Sequence, residues 1–195
     1  MELINSKTYV NLAKAYAGEC QARTRYEFME YGARNEGYAC LAEVIDKVVY
    51  NEFNHARMLY TFIQKAKKGT IDNINYSVGT PFKQKWNLID NLAFAANDEK
   101  EEIKIYRRNA TVAEKEGFPE IADLFRGLAE IESCHAKLFT DLHNQMSTGT
   151  LYKKEKKVKW KCSGCGHEET ALEAWQTCPV CNAKQGAVML KLKGN

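Results

Sequence analysis

The sequence contains no apolar run close to the roughly 20 residues that a membrane-spanning helix requires. Its first ten residues, MELINSKTYV, lack both a basic segment leading into an apolar stretch and a small-residue cleavage site, so export is not indicated. The formal net charge is only +3, and no segment interleaves aromatic residues with arginine as a nucleic-acid groove would. These absences argue against membrane, exported and nucleic-acid-binding proteins, and we expect a cytoplasmic globular protein.

The cysteines lack the arrangement of a secreted disulfide framework. Cys20, Cys40 and Cys134 lie within helical patterns, whereas the other four form two C-x-x-C pairs in CSGCGH and CPVCN, twelve residues apart. This spacing is typical of a tetrahedral four-cysteine metal site, with Cys162, Cys165, Cys178 and Cys181 as ligands. Residues 158–195 are too few to fold on an apolar core alone, so we expect a metal ion to organise them. The spacing does not distinguish zinc from iron.

Apolar residues at helical spacing predict four helices, over about 6–35, 38–67, 86–116 and 119–146. The segment 70–85 mixes Asn, Gly and Pro without period and is too long for a tight turn, which predicts a crossover connection. The lysine-rich run at 153–161 is interpreted as part of a solvated linker. We therefore expect an all-α four-helix bundle over 1–146, a linker over 147–157, and a small metal-bound domain over 158–195.

The helical region repeats itself at a constant offset of 80 residues. Short motifs recur at this offset without any gap, among them Asn11-Leu12-Ala13 with Asn91-Leu92-Ala93 and Glu36-Gly37 with Glu116-Gly117. The same shift pairs the polar residues of the helices: Glu19 with Glu99, Tyr26 with Tyr106, Glu52 with Glu132, and His55 with His135. Each helical hairpin therefore supplies one glutamate from its first helix and a Glu-x-x-His pair from its second.

Residues i and i+3 share a helix face, so the glutamate and the histidine of each Glu-x-x-His pair can point at one spot. Two hairpins packed about a pseudo-twofold axis would bring four carboxylates and two imidazoles together. Burying these carboxylates unpaired would be costly, so a cation is expected among them. Oxygen-rich ligation with one imidazole per metal suits iron or manganese, which predicts a dinuclear site. A lone Glu-x-x-His is usually an exposed pair or a satisfied core histidine, but two at matched positions favour the metal site.

The third helix contains several acidic residues in NDEKEEIKIY, and they leave the register of its ligand open. The repeat selects Glu99, and Glu102 lies on the same face at i+3, where the first helix has Ala22. The alternative register uses Asp98 and Glu101, which are otherwise solvated charges. Tyr26 and Tyr106 each lie seven residues after a predicted ligand. They either donate hydrogen bonds to the ligating carboxylates or pack in the core.

The combination resembles the rubrerythrin family over nearly the whole chain. The resemblance rests on Glu19 in YAGECQARTRY, Glu52 and His55 in NEFNHA, Glu99 and Glu102 in NDEKEE, Glu132 and His135 in EIESCHAKLF, and the cysteines of CSGCG and CPVC. It implies a ferritin-like bundle with two non-haem iron ions, followed by a rubredoxin-like domain with one iron ion at the four cysteines. It also implies that one iron shifts between the residues matching Glu102 and His55. Arg107 and Asn182 depart from the family's usual proline and glycine, and Tyr106 follows Glu99 by seven residues rather than eight.

The family resemblance further implies an activity and its partners. Members reduce hydrogen peroxide to water, with electrons from NAD(P)H through a reductase and often rubredoxin, and work as homodimers, here expected to be head-to-tail. Two other interpretations remain open on the sequence. An iron-storage protein would have no evident use for a tetrathiolate redox domain, and a zinc-binding interaction module would leave the bundle carboxylates unexplained.

Overall fold

The structure of the protein is a computed structural model that describes residues 2–77, 79 and 86–192. Four long helices, α1 (Lys7–Asn35), α2 (Ala39–Lys65), α3 (Leu88–Glu116) and α4 (Pro119–Ser147), are followed by two strands, β1 (Lys153–Lys161) and β2 (Glu168–Glu173). Short 3-10 turns at Leu3–Asn5 and Gln185–Ala187 complete the regular structure of this part of the chain. The expected four-helix bundle, followed by a small domain with two strands and the four cysteines, is confirmed.

The 80-residue repeat extends to the ends of the helices. Gly37 and Gly117 both adopt φ 86°, the left-handed conformation that ends a helix without a Cβ clash. In each hairpin the next residue donates its N–H to the carbonyl of the alanine five positions back, Tyr38 to Ala33 and Phe118 to Ala113, both at 2.9 Å. The two hairpins therefore turn in the same way, which keeps their remaining residues in equivalent positions.

The helices pack as two hairpins, α1 with α2 and α3 with α4, and α1 also packs against α3. Their buried side chains form two apolar clusters. One includes Met29, Leu41 and Phe139, and the other includes Leu12, Leu59 and Phe125. In each helix, the buried glutamates and histidines of the repeat come between the residues of one cluster and those of the other. No helix among the described residues is long and apolar enough to cross a membrane.

Helix boundaries agree with the expected ones to within two residues. α2 ends at Lys65 rather than at 67, and α3 begins at Leu88 rather than at 86. Trp86 stays outside α3 because its indole lies directly over Gly32, where a Cβ would come within 1.9 Å of the ring, and its Nε1 donates to Glu36 at 3.1 Å. Of the expected crossover at 70–85, residues 70–77 and 79 form no helix or strand, and residues 78 and 80–85 lie outside the described residues.

The lysine-rich run is a strand rather than a solvated linker. β1 starts at Lys153 and pairs antiparallel with β2, so the connection between bundle and small domain is shorter than the expected 147–157. Cross-strand ion pairs explain why so polar a segment is ordered, since Lys159 and Lys161 both lie within 3.4 Å of Glu168. The sheet covers a small core of Trp160, Ala174 and Val188. Residues 193–195 of the predicted 158–195 domain lie outside the described residues.

The small domain packs against the end of the bundle that carries the α1–α2 turn. Gly186 touches this turn so closely that a Cβ there would lie 1.7 Å from the carbonyl oxygen of Gly37. At the end of α4, Gln145 donates to the carbonyl of Lys191 at 3.0 Å and accepts from the Lys154 ammonium at 2.6 Å. These contacts hold the four-cysteine domain on its own bundle at one end.

Candidate metal centres

The seven predicted bundle ligands come from all four helices and meet in the interior. Glu19, Glu52 and Glu132 are completely buried, and the two histidines are 3–4% exposed. Helical spacing explains this convergence, because a glutamate and a histidine three residues apart project from one face of α2, and the same holds for α4. Six of the seven are buried, namely Glu19, Glu52, His55, Glu99, Glu132 and His135, and Glu102 is partly buried beside them.

The donor atoms form two overlapping groups, each with its ligand atoms within 4.8 Å of one another. The first group consists of Glu19, Glu52, His55 and Glu132, and the second of Glu52, Glu99, Glu132 and His135. Glu52 and Glu132 belong to both groups. The arrangement is that of two adjacent metal positions that share two carboxylates, with one glutamate and one histidine belonging to each position alone.

Many of the converging atoms lack a hydrogen-bond partner, which tests whether metal ions fit between them. The buried atoms without a partner in the described structure are Glu19 Oε2, Glu52 Oε1, Glu99 Oε2, Glu102 Oε2, both oxygens of Glu132, and His135 Nδ1. His135 Nδ1 nevertheless lies 2.7 Å from Glu132 Oε2 and 3.1 Å from Glu52 Oε1. These atoms lie close together but do not have the geometry of hydrogen bonds, as expected for metal-ligating atoms that are directed at a common point. Metal cations satisfy such a set.

The pKa shifts within the cluster also favour metal binding. Burial raises the pKa of Glu19 and of Glu99 well above the usual carboxyl value. Burial alone would lower the pKa of His55, but neighbouring glutamates raise it to about 12, and in the same way the pKa of His135 rises to about 9. Without metal, the cluster therefore retains protons at neutral pH. Metal ions bind by displacing them.

Tyr26 and Tyr106 donate hydrogen bonds across the bundle. The hydroxyl of Tyr26 donates to Glu99 Oε1 at 2.5 Å, and that of Tyr106 donates to Glu19 Oε1. Each tyrosine therefore contacts the glutamate of the other hairpin, not the one seven residues earlier on its own helix. Each ring also packs in the core, Tyr26 against Phe139 and Tyr106 against Phe125. Both alternatives left open by the sequence, hydrogen bonding and core packing, therefore apply, because the hydroxyl of each tyrosine is polar and its ring is apolar.

In α3, the two possible ligand registers have different environments. Glu99 is 1% exposed, and Glu102 has a buried oxygen with its pKa raised to about 8 by burial and by Glu132 and Glu52. Asp98 instead lies 3.5 Å from Arg25, and Glu101 is exposed and pairs with Lys104. Glu99 therefore belongs to one of the two donor groups, whereas Glu102 lies beside them and belongs to neither.

Asn51 is a neighbour of the cluster that the sequence analysis does not identify. Its side-chain amide lies 3.1 Å from Nε2 of His135, the ring nitrogen that faces away from the carboxylates. Asn51 itself is exposed and lines a cleft of about 850 Å³ on the outer face of α1 and α2. Its position in the sequence could have identified it, because Asn51 precedes Glu52 and lies one helical turn before His55.

The four cysteines form the second centre. None forms a disulfide, and the sulfurs of Cys162 and Cys181 and those of Cys165 and Cys178 are each 3.7 Å apart. A metal–sulfur bond of about 2.3 Å in a tetrahedral site places two sulfurs about 3.8 Å apart. The spacing of the thiols therefore fits a single tetrahedral ion.

Two knuckles of the same shape present these thiols. Gly166 and Asn182, each the residue after the second cysteine of its pair, have φ of 79° and 62°. Each donates its N–H to the carbonyl of the first cysteine of its pair, at 3.0 Å. Both residues adopt the left-handed conformation, which asparagine reaches at low cost. Burial alone would raise the pKa of Cys178, but backbone N–H groups of Cys181 and Val180 lower it to about 6.

The family match divides the chain in two, close to the division into two helical hairpins. A family model described as Rubrerythrin matches residues 10–89 and again 90–163. A rubrerythrin from Clostridium perfringens (strain 13) is 38% identical over 92% of this chain and 91% of its own length. A rubrerythrin from Porphyromonas gingivalis is 33% identical over 90% of this chain and 86% of its own length. The boundary at 89 and 90 falls in the first turn of α3, close to the start of the second hairpin.

Solved structures share the fold. A nigerythrin in a fully reduced, all-ferrous state aligns with a TM-score of 0.63 at 23% identity, over 98% of this chain and 94% of that chain. A bacterioferritin of Desulfovibrio desulfuricans, studied for its diiron site, aligns with a TM-score of 0.62 at 20% identity, over 74% of this chain and 82% of that chain. At these identities the likeness concerns the fold alone, and it places the helical region among ferritin-like bundles.

Proposed function

The chain belongs to the rubrerythrin family, and on this premise we propose that it is a non-haem di-iron peroxidase that reduces hydrogen peroxide to water. Its cofactors are two non-haem iron ions in the bundle and one iron ion at the four cysteines. The observation that carries the proposal is the convergence of two Glu-x-x-His pairs and two further glutamates on one buried spot, where their donor atoms lack partners in the described protein.

The proposed ligand assignment follows the overlap of the two donor groups. Glu52 and Glu132, which belong to both groups, would be shared by the two iron positions. Glu19 and His55 complete one iron position, and Glu99 and His135 complete the other. Glu102, whose buried oxygen has no partner in the described structure, is the proposed alternative to His55. A terminal ligand that can leave opens a coordination position for peroxide.

The reaction consumes two electrons and two protons for each peroxide and yields two water molecules. Two ferrous ions supply both electrons together, which avoids the release of a hydroxyl radical by a lone ferrous ion. Tyr26 and Tyr106 hold Glu99 and Glu19 in place by hydrogen bonds. The apolar side chains on both sides keep bulk water out.

Electrons are proposed to return to the bundle through the tetrathiolate iron, with an NAD(P)H-linked reductase or rubredoxin as the external donor. Within one subunit the route is long, because the small domain contacts its own bundle near Gly37, at the start of α2. From Ala39 to Glu52 this helix rises about 20 Å. A head-to-tail homodimer, in which each small domain also faces the partner's bundle, would shorten the path.

The proposed dimer contact is the outer face of α1 and α2. Phe28, Tyr31 and Tyr50 are 64–67% exposed there, and Phe53 is 43% exposed beside the cleft that also contains Asn51. A cluster of exposed aromatic side chains of this kind is typical of a protein interface. In a head-to-tail dimer, a second copy of this chain would cover this aromatic face.

A stopped-flow experiment tests the proposed function. Reduced protein is mixed with hydrogen peroxide, and the return of the ferric–thiolate colour is timed. We expect rapid reoxidation in the parent, its loss in Glu132→Ala, and its retention in Glu130→Ala, which removes an exposed carboxylate from the same helix. Reoxidation at the same rate in Glu132→Ala and in the parent, with the tetrathiolate site intact in both, would mean that peroxide reacts elsewhere.

A further inference from the structure

The two histidines of the cluster are alike on the side that faces the carboxylates and different on the other side. Both present Nδ1 to the glutamates, and their rings stack with centroids 5.8 Å apart. Nε2 of His135 has Asn51 at 3.1 Å. No residue in the described part of the chain hydrogen-bonds with Nε2 of His55. The difference lies in a single pair of repeat-related positions, because 80 residues after Asn51 comes Ile131.

The chemistry of the imidazole decides how Asn51 binds. A histidine that ligates metal through Nδ1 carries its hydrogen on Nε2, so Nε2–H is a donor. To bind this donor the amide must offer its oxygen, and the oxygen and nitrogen of an asparagine exchange places by a simple rotation of the amide group.

We propose that Asn51 is a positioning residue that accepts a hydrogen bond from Nε2–H of His135 and so fixes this histidine on its iron, whereas His55, matched with Ile131, is the histidine free to leave. This inference rests on the proposed di-iron function. It assigns a cause to the unequal behaviour of two otherwise equivalent ligands, since an acceptor on the far nitrogen fixes both the tautomer and the orientation of a ligating imidazole. Isoleucine has no acceptor in its side chain and cannot do this.

The test is the rate at which each imidazole N–H exchanges with solvent. In the diferrous protein the Nε2–H protons of the two ligating histidines give separate hyperfine-shifted signals in proton NMR, and we expect one to exchange slowly and the other rapidly. Asn51→Leu should speed the slow exchange by tenfold or more and weaken iron binding at one of the two positions by about 10-fold to 100-fold. Asn51→Gln, which keeps an amide, should restore at least part of the slow exchange.

The reciprocal change makes the test stringent. Ile131→Asn should slow the fast signal, because it places an acceptor at the equivalent position beside His55. Asn54→Leu is the matched control, since Asn54 lies on the same helix and donates to the carbonyl of Tyr50. The metal-free protein, labelled with 15N in histidine, should show the same order of exchange rates.

Equal exchange of the two protons in the parent, or an Asn51→Leu protein that behaves as Asn54→Leu does, would overturn the inference. The measurement uses no peroxide, and its metal-free arm needs no iron. Absence of peroxide turnover would therefore contradict the proposed function. It would not contradict the hydrogen bond between Asn51 and His135, which the exchange rates test separately.

Discussion

The two helical hairpins offer the same three donors each, yet they surround them differently. Glu19, Glu52 and His55 of the first match Glu99, Glu132 and His135 of the second, and together they form two four-membered donor groups that mirror each other. The surroundings do not match. Glu102 in the second hairpin corresponds to Ala22 in the first, and Asn51 in the first corresponds to Ile131 in the second.

A third difference lies near Glu102. Arg25 lies 3.5 Å from Asp98 and lowers the otherwise raised pKa of Glu102, whereas the positions matching Arg25 and Asp98 hold Ile105 and Gly18. The symmetric residues therefore set the number of metal positions and their donors. The asymmetric residues make the two positions chemically distinct, which a reaction with one mobile ligand requires.

The largest effect is expected at the two shared carboxylates. Glu52→Ala and Glu132→Ala should each abolish binding of both bundle iron ions, because each removes a donor from both groups. The iron at the four cysteines should remain, and metal analysis together with the visible spectrum distinguishes the two centres. Glu43→Ala, an exposed carboxylate on α2, is the control. If only one bundle iron were lost in either variant, that glutamate would not be shared.

Next in size is the loss of a carboxylate that belongs to one position. Glu19→Ala and Glu99→Ala should each lower the occupancy of one iron, because each glutamate belongs to only one donor group. Asp98→Ala should keep both irons and change the free energy of unfolding by about 0.2–1 kcal/mol, as expected for a partly exposed ion pair. Iron titration followed by denaturant unfolding measures both quantities. Greater iron loss in Asp98→Ala than in Glu99→Ala would restore the alternative register.

The pH dependence of stability should have opposite signs with and without metal. Metal-free protein binds more protons folded than unfolded, since folding raises the pKa of Glu102 to about 8 and of His135 to about 9, and also raises those of Glu19 and Glu99. Its free energy of unfolding should therefore fall from about pH 5 to about pH 8, by about 1.4 kcal/mol per pH unit for each extra proton. Glu52, with a lowered pKa, opposes this trend only in acid.

Bound metal replaces these protons, so its stabilising effect should grow over the same range. Thermal unfolding of the helical signal, recorded anaerobically for metal-free and ferrous protein at pH 5.5 and pH 7.5, measures the difference in Tm between the two forms. We expect this difference to widen at the higher pH. A difference that narrows would mean that the ligands are already deprotonated in the metal-free cluster.

Smaller effects than those of losing a ligand are expected from the tyrosines. Tyr26→Phe and Tyr106→Phe each remove one hydrogen bond to a buried carboxylate while keeping the aromatic packing, and each should cost about 1–3 kcal/mol in stability of the metal-loaded protein. Because the bonds cross between hairpins, Tyr26→Phe should affect the iron held by Glu99, and Tyr106→Phe the one held by Glu19. Spectra that distinguish the two irons test this, and the reverse pattern would contradict the crossed arrangement.

Much of the fold and of the ligand set could be predicted because both follow from regular spacing. Helical periodicity predicted four helices, and the constant offset of 80 residues paired their polar residues without reference to packing. The failures occurred where local polarity was misleading. Residues 153–157 are mostly exposed, as their polarity suggests, but they belong to β1, where Lys153 pairs with Glu173 and Lys154 contacts Gln145. Trp86 was expected at the start of α3 but lies outside the helix, where its indole covers Gly32.

The sequence by itself determined which residues meet in each metal centre, since residues three apart share a helix face and two C-x-x-C knuckles fit one tetrahedral ion. Only the tertiary structure decided which side chain supports which ligand. Tyr26 contacts Glu99 and Asn51 contacts His135, in each case across the two hairpins. Sequence spacing fixes the direction of a side chain around its own helix axis. The rotation and height of one helix against another depend on how their side chains interlock, and that is decided only when all four helices pack together.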